Sequence, residues 1–314
     1  MTLRIVSLLP SATEIVAGLG YAGALVGRSH ECDFPEEVRR LPVCTAPRAG
    51  LSAGDGGEIH RRLARLLADG LTVYRVDPDR LRALRPTHVV TQLQCAVCAA
   101  TPEDVARALA AWEEPPAVVS LSGGDLAGVY RDFETTAAAL GDPAAGEALA
   151  GRVAARVGGI EAAARGLLRP RVAVLEWLDP LLGAGNWVPE LVAKAGGEPL
   201  FGTPGGHSRR LEPAELAAAD PDVILAAPCG YPLSRTAREA RLLTHRPGWR
   251  DLAAVRAGRV FLADGNRYFN RPGPGLAETL EILAEVLHPE VFEFGHEGTG
   301  WLRAEPDEAR REPL

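Results

Sequence analysis

The chain alternates two kinds of patterned segment from its start. "RIVSLL", Arg4 to Leu9, is a continuous apolar run of strand length. Pro10 breaks it, Ser11 or Thr13 can cap a helix, and "EIVAGLG" keeps helical spacing up to a stop at Gly20. "ALVGRS" reads as a second strand, running into the polar loop "HECDFPEEVRRLP". Then "GGEIHRRLARLLADG" predicts a helix, "TVYRV" a strand, "DPDRLRALRP" a helix and "THVVTQ" a strand. Strands that are apolar throughout, rather than at every second residue, are buried on both faces. Alternating with helices, they predict a parallel sheet covered on both sides.

The same plan recurs downstream. "RPRVAVLEWL" (Arg169 to Leu178) opens a second set, followed by the loop "DPLLGAGNW" and the helix "VPELVAKAGG". "LRALRPTHVVTQLQC" and "PAELAAADPDVILAAPC" both read helix, proline, strand, loop, cysteine. Between the two sets, Asp125 to Arg169 is almost all helix-forming, interrupted at Gly141-Asp142-Pro143, where Pro143 suits the first turn of a new helix. The fold class expected is therefore α/β, with two lobes, each a parallel-sheet α/β sandwich, joined by a long rigid interlobe helix. The boundaries expected are 1–124 for the first lobe, 125–168 for the helical linker and 169–290 for the second lobe. Residues 291–314 lose periodicity and read as a C-terminal tail, fraying at its end.

Composition narrows the functional classes. With 46% hydrophobic and 24% charged residues the chain is an ordinary globular one. A net charge of -7 without a basic block disfavours nucleic acid or an anionic membrane as partner. No apolar run reaches the roughly 18 residues that a membrane span needs. The N-terminus reads as a first strand, lacking a long apolar core and a small-residue cleavage site, so a cytoplasmic protein is expected. Five cysteines, odd and sparse, make reduced thiols the default.

Candidate chemistry gathers in loops at strand ends, where open α/β sheets hold their ligands. Ser11 opens a helix and reads first as a cap, second as part of an anion cradle. His30-Glu31-Cys32-Asp33 sets four ionisable or ligating groups in a row, which core packing does not explain. Gln94 precedes Cys95 and Cys98, a C-x-x-C that is half a zinc site. Structural, ligating and redox roles all stay open for that pair, since Thr101-Pro102-Glu103 starts a helix soon after. Cys44, in a short apolar segment, reads as a buried thiol. Further on, Trp187 in the Gly-rich "GAGNW" is expected to be an exposed stacking surface, His207 lies in "GGHSRR", and Cys229 follows "VILAAP". "DGNRYFNRPGPGL" gathers Tyr268, Asn270 and Arg271, groups suited to a flat, polar-rimmed ligand. No nucleophile elbow, Walker A or G-x-G-x-x-G motif occurs.

On "RIVSLLPSATEIVAGLG", "LVGRSHECDFPEEVRRLP", "RPTHVVTQLQC", "DPDVILAAPCG", "PGWRDLAAVRAGRVFLADGNRYFNRPGPGL" and "LEILAEVLHPE" the chain resembles the cobalamin-type substrate-binding proteins of ABC importers. These belong to a wider group of metal, siderophore and corrinoid binders. The resemblance implies two α/β lobes with a ligand between their strand-end loops. It implies a binding protein for a corrinoid or other metal-containing cofactor, with an ABC importer or a cofactor-accepting protein as partner. Ser11, Gln94, Trp187, His207, Tyr268, Asn270 and Arg271 are then expected on the organic part. His30, Cys32, Cys95, Cys98 and Cys229 are available for metal, their imidazole and thiolate donors favouring zinc, cobalt or iron–sulfur iron. Two departures from the family are expected: an N-terminus that reads as a strand instead of an export signal, and thiol-bearing loops that a corrinoid cleft does not require. The alternative from another class is a cytoplasmic metal- or thiol-dependent enzyme using His30, Glu31 and Cys32 with Cys95 and Cys98.

Overall fold

The computed structural model describes residues 2–48, 54–68, 73–93 and 100–304. The chain divides into two compact units. One comprises Met1–Gly54, Glu58–Val153 and Pro272–Pro274; the other comprises Asp55–Gly57, Ala154–Arg271 and Gly275–Leu314.

The first unit holds β1 (Ile5–Ser7), α1 (Pro10–Gly18), β2 (Leu25–Arg28), β3 (Thr45–Pro47), most of α2 (Gly56–Ala68) and β4 (Tyr74–Val76). It continues with α3 (Pro78–Leu84), β5 (His88–Gln92), α4 (Pro102–Leu109), β6 (Ala117–Leu121) and α5 (Leu126–Ala139). Its main sheet has the order β2-β1-β5-β6 with every neighbour parallel, as the continuous apolar runs predict. β3 and β4 form a separate antiparallel pair, with Thr45 opposite Val76. Val6, Leu8, Cys44, Leu81, Val89, Val105 and Leu109 make one core cluster. Local chemistry sets the helix starts. Asp77 accepts the Arg80 N–H at 2.9 Å to cap α3, and Thr101 and Asp104 form a reciprocal capping box on α4.

Residues 125–168, read from the sequence as a linker, form α5 and α6 (Pro143–Ala163), with the break at the expected Gly141-Asp142-Pro143. α5 is a core helix of the first unit, burying Leu126, Val129 and Phe133. The unit boundary falls inside α6, which at 21 residues and 1.5 Å per residue is about 30 Å long.

The second unit contains β7 (Arg171–Leu178), β8 (Leu181–Gly183), α7 (Val188–Lys194), β9 (Glu198–Pro199), β10 (Arg209–Arg210) and α8 (Pro213–Ala219). After these come β11 (Val223–Ala226), α9 (Leu233–Glu239), α10 (Arg241–Thr244), α11 (Ala253–Arg256), β12 (Val260–Ala263), α12 (Leu276–Leu287) and β13 (Trp301–Arg303). The sheet order is β10-β8-β7-β11-β12-β13, with β9 also on β7. β7, β11 and β12 are parallel, whereas β8, β10 and β13 add antiparallel edges. The two-residue connection after Leu178 permits only antiparallel pairing, so this sheet is mixed.

The segment from 291, expected to be a loose tail, includes β13. Glu285 holds it: this buried carboxylate accepts the main-chain N–H groups of Phe294, Gly295 and His296, and the Trp301 indole N–H at 2.7 Å. Residues 305–314 lie outside the described residues.

Candidate functional site

In the first unit, the carboxyl end of β2 leads into Ser29-His30-Glu31-Cys32-Asp33, and this loop is organised by residues far from it in sequence. Thr45 Oγ1 contacts His30 Nδ1 at 2.7 Å, accepts the His30 main-chain N–H at 3.1 Å, and donates to Ser29 Oγ at 3.0 Å. Ser29 and Thr45 are both buried, while His30 is half-buried. Tyr74 tilts its ring against the imidazole at 5.2 Å and donates its hydroxyl to Glu31 at 2.8 Å. Burial, aided by the Arg28 charge, lowers the His30 pKa below the ordinary histidine value, so the ring is neutral near pH 7.

Two expected roles change here. Cys32 is fully buried with its Sγ 3.0 Å from Thr13 Oγ1, so this thiol faces the interior. Cys44 is fully buried too, as expected, and burial pushes its thiol up to about 11. Neither Ser11 nor Thr13 caps α1. The cap position is Leu9, Pro10 begins the helix, and Thr13 instead donates to Ser7 Oγ at 2.8 Å. The Ser11 hydroxyl is buried without a hydrogen-bond partner among the described residues.

In the second unit, the loops before α7 and before β10 are stapled together. Asn186 N–H donates to Gly206 O at 2.6 Å and Gly205 N–H donates to Asn186 O at 3.0 Å. Gly185 permits this approach, since a Cβ there would lie 2.4 Å from Gly206 O. Asn186 turns through the left-handed region at φ 54° and sends Trp187 inward. Trp187 is buried, with its indole N–H on Phe269 O at 3.0 Å. The expectation of an exposed stacking surface is thereby corrected, because staple geometry decides the direction of the side chain. His207 remains exposed on the same staple.

The loop after β12 is similarly tied to its own unit. Asn270 Nδ2 donates to Ala227 O at 3.2 Å and Gly265 O at 2.9 Å; buried Arg271 donates to Asn266 Oδ1 at 3.0 Å. These residues, expected on a ligand, position loops. Tyr268 is half-buried, edge-on to His296 at 5.9 Å. Cys229 is also half-buried, its main-chain N–H bound to Glu176 O at 3.0 Å. Burial raises the Glu176 carboxyl, against hydrogen bonds from Ser208 and Gly185 that lower it.

Gln94, Cys95 and Cys98 lie outside the described residues. Among the described residues, no three His, Cys, Asp or Glu side chains are grouped so as to hold a metal ion. Sequence reasoning missed Thr45 and Tyr74, whose polar tips sit in short apolar strands. It also missed Trp177 and Tyr231, paired at 5.2 Å beside the carboxyl ends of β7 and β11.

A family model described as periplasmic binding protein matches residues 5–266. Among solved structures, the chain is similar to the periplasmic heme-binding protein RhuT from Roseiflexus sp. RS-1 in apo form. The two are 25% identical with a TM-score of 0.68, covering 93% of this chain and 100% of that one. It is also similar to a periplasmic heme-binding protein from Pseudomonas aeruginosa: 22% identical, TM-score 0.68, over 93% and 94% of the two chains. The periplasmic vitamin B12 binding protein BtuF of Vibrio cholerae is 17% identical with a TM-score of 0.63, over 90% and 96%. At these last two identities the likeness is one of fold. No curated protein sequence matches the chain.

Proposed function

The chain belongs to the periplasmic binding protein family, and from that premise we propose that it captures a metal-bearing macrocycle, a heme or a corrinoid. The observation that carries this reading is His30: a half-buried, neutral imidazole fixed at the carboxyl end of a parallel strand, where α/β proteins hold ligands. RhuT, similar over the whole of its length, is a heme-binding protein, which supports widening the ligand class beyond the corrinoid that the sequence motifs suggest. Capture without chemistry also suits the buried state of Cys32, a thiol that a thiol-dependent enzyme would need within reach.

Delivery to an ABC importer or to a cofactor-accepting protein is part of the same proposal. So is cytoplasmic residence, supported by Cys44 and Cys229, which form no disulfide, and tested by cell fractionation. Equilibrium dialysis against hemin and against hydroxocobalamin tests ligand capture. Retention of either at low micromolar concentration is expected. Equal distribution of both across the membrane at tens of micromolar overturns the proposal.

A further inference from the structure

The imidazole of His30 is already committed on one side. Thr45 has a single hydroxyl proton and gives it to Ser29 Oγ at 3.0 Å. With that direction, the 2.7 Å contact between Thr45 Oγ1 and His30 Nδ1 is satisfied by a proton on Nδ1. Two main-chain groups hold the pair of hydroxyls in register: His30 N–H donates to Thr45 Oγ1 and Glu31 N–H donates to Ser29 Oγ at 3.3 Å. Ser29 and Thr45 are 2% and 5% exposed, so water does not compete for these bonds.

The other ring nitrogen is left as a Lewis base. Nε2 has no hydrogen-bond partner among the described residues, and it is not one of the side-chain nitrogens sealed from solvent. An imidazole whose Nδ1–H is held by a neighbour, with Nε2 bare, has the form that metal-binding histidines take. Tyr74, packed on the ring and tied by its hydroxyl to Glu31, resists rotation of the imidazole.

We propose that His30 Nε2 is the protein's donor to the metal of the bound complex, at one open axial position, with Thr45 and Ser29 as positioning residues. This rests on the capture of a metal macrocycle proposed above. One imidazole supplies one ligand, which suits a metal whose equatorial positions are filled before it arrives. Two large apolar side chains at carboxyl ends of the same parallel sheet are exposed: Phe34, in the loop after β2, at 41%, and Leu93, just past β5, at 61%.

The test is an absorption titration of wild type, His30→Ala and His30→Met with hemin and with hydroxocobalamin. Wild type is expected to show the band of a nitrogen-ligated metal at one equivalent. His30→Ala loses that band and at least tenfold in affinity, and millimolar imidazole restores the band. His30→Met fills similar space with a thioether donor, so it shifts the band instead of abolishing it, and it keeps the test open should the alanine variant misfold. Thr45→Val frees Nδ1, and the band of the bound metal shifts while binding persists. Binding by wild type with unchanged spectra in both His30 variants overturns this assignment and leaves the capture proposal standing. Failure of wild type to bind either compound overturns both.

Discussion

Gly20 and Gly196 end two helices in the same way. Leu19 and Ala195 each donate to the carbonyl four residues back, Ile15 and Leu191. Gly20 and Gly196 donate to Ala17 and Ala193, and Tyr21 and Gly197 reach Val16 and Val192. Both glycines have positive φ, 91° and 83°. "EIVAGLG" and "ELVAKAGG" are thus one helix-ending device used in each unit. A second pair agrees: Arg85 and Asp220 close α3 and α8 in the left-handed region, each followed by proline and, one residue later, a parallel strand.

The two glycines are nevertheless unequal in surroundings. A Cβ on Gly20 would meet nothing within 4 Å, whereas one on Gly196 would lie 2.8 Å from His288 Nε2 and 3.2 Å from the Ala164 Cβ. Gly20→Ala should lose only the backbone cost of a left-handed residue, about 1 kcal/mol. Gly196→Ala should lose clearly more, read as a larger drop in the urea midpoint.

Glu285 concentrates four donors on one buried carboxylate. Glu285→Ala leaves those donors without it and should destabilise by about 3 kcal/mol or more. Hydrogen exchange localises the effect: the main-chain N–H groups of β13 should lose protection before those of β12.

Asp132 is buried and accepts the main-chain N–H of Ser122 and of Gly123, at 3.0 and 2.9 Å. Burial raises its pKa above 3.8, opposed by those two hydrogen bonds. A raised carboxylate pKa means that the folded chain binds the proton more tightly than the unfolded chain. Its contribution to stability is therefore full below 3.8 and declines as pH rises to the folded value. Asp132→Asn should be less stable because one donor then faces an amide NH2, by about 1 to 2 kcal/mol. It should also lack this segment of the pH dependence. Urea unfolding of both proteins from about pH 4 to 6 reads the difference in slope.

The described cysteines should separate by reactivity. Cys229 is half-buried, Cys32 and Cys44 are fully buried, and the Cys44 thiol is pushed to about 11. Brief alkylation of native protein near neutral pH, followed by peptide mass spectrometry, should mark Cys229 and spare the other two. Rapid labelling of Cys32 would contradict the burial on which the capture reading draws.

The fold was legible where local pattern decides it. Continuous apolar runs such as "RIVSLL" and "VILAA" report strands buried on both faces, and Gly20 and Gly196 report where helices must stop. What escaped depends on long-range partners. β13 is three residues long and becomes a strand only against β12, some forty positions earlier. Trp187 sits in a Gly-rich loop that looks exposed, yet the staple to residues 205–206 turns it inward. At the candidate site the unusual "HECD" run drew notice through its chemistry, but its order was hidden. Thr45 is 15 residues from His30, and Tyr74 is 43 from Glu31. No local rule pairs them.

Fluorescence offers the most direct measurement, because heme and corrin rings quench tryptophan on binding and the chain contains five tryptophans. Wild-type protein titrated with hemin or hydroxocobalamin at micromolar concentration should lose emission along a curve that saturates at one equivalent. Quenching by both compounds that rises without saturation, as free tryptophan in the same buffer does, would contradict capture of a metal macrocycle.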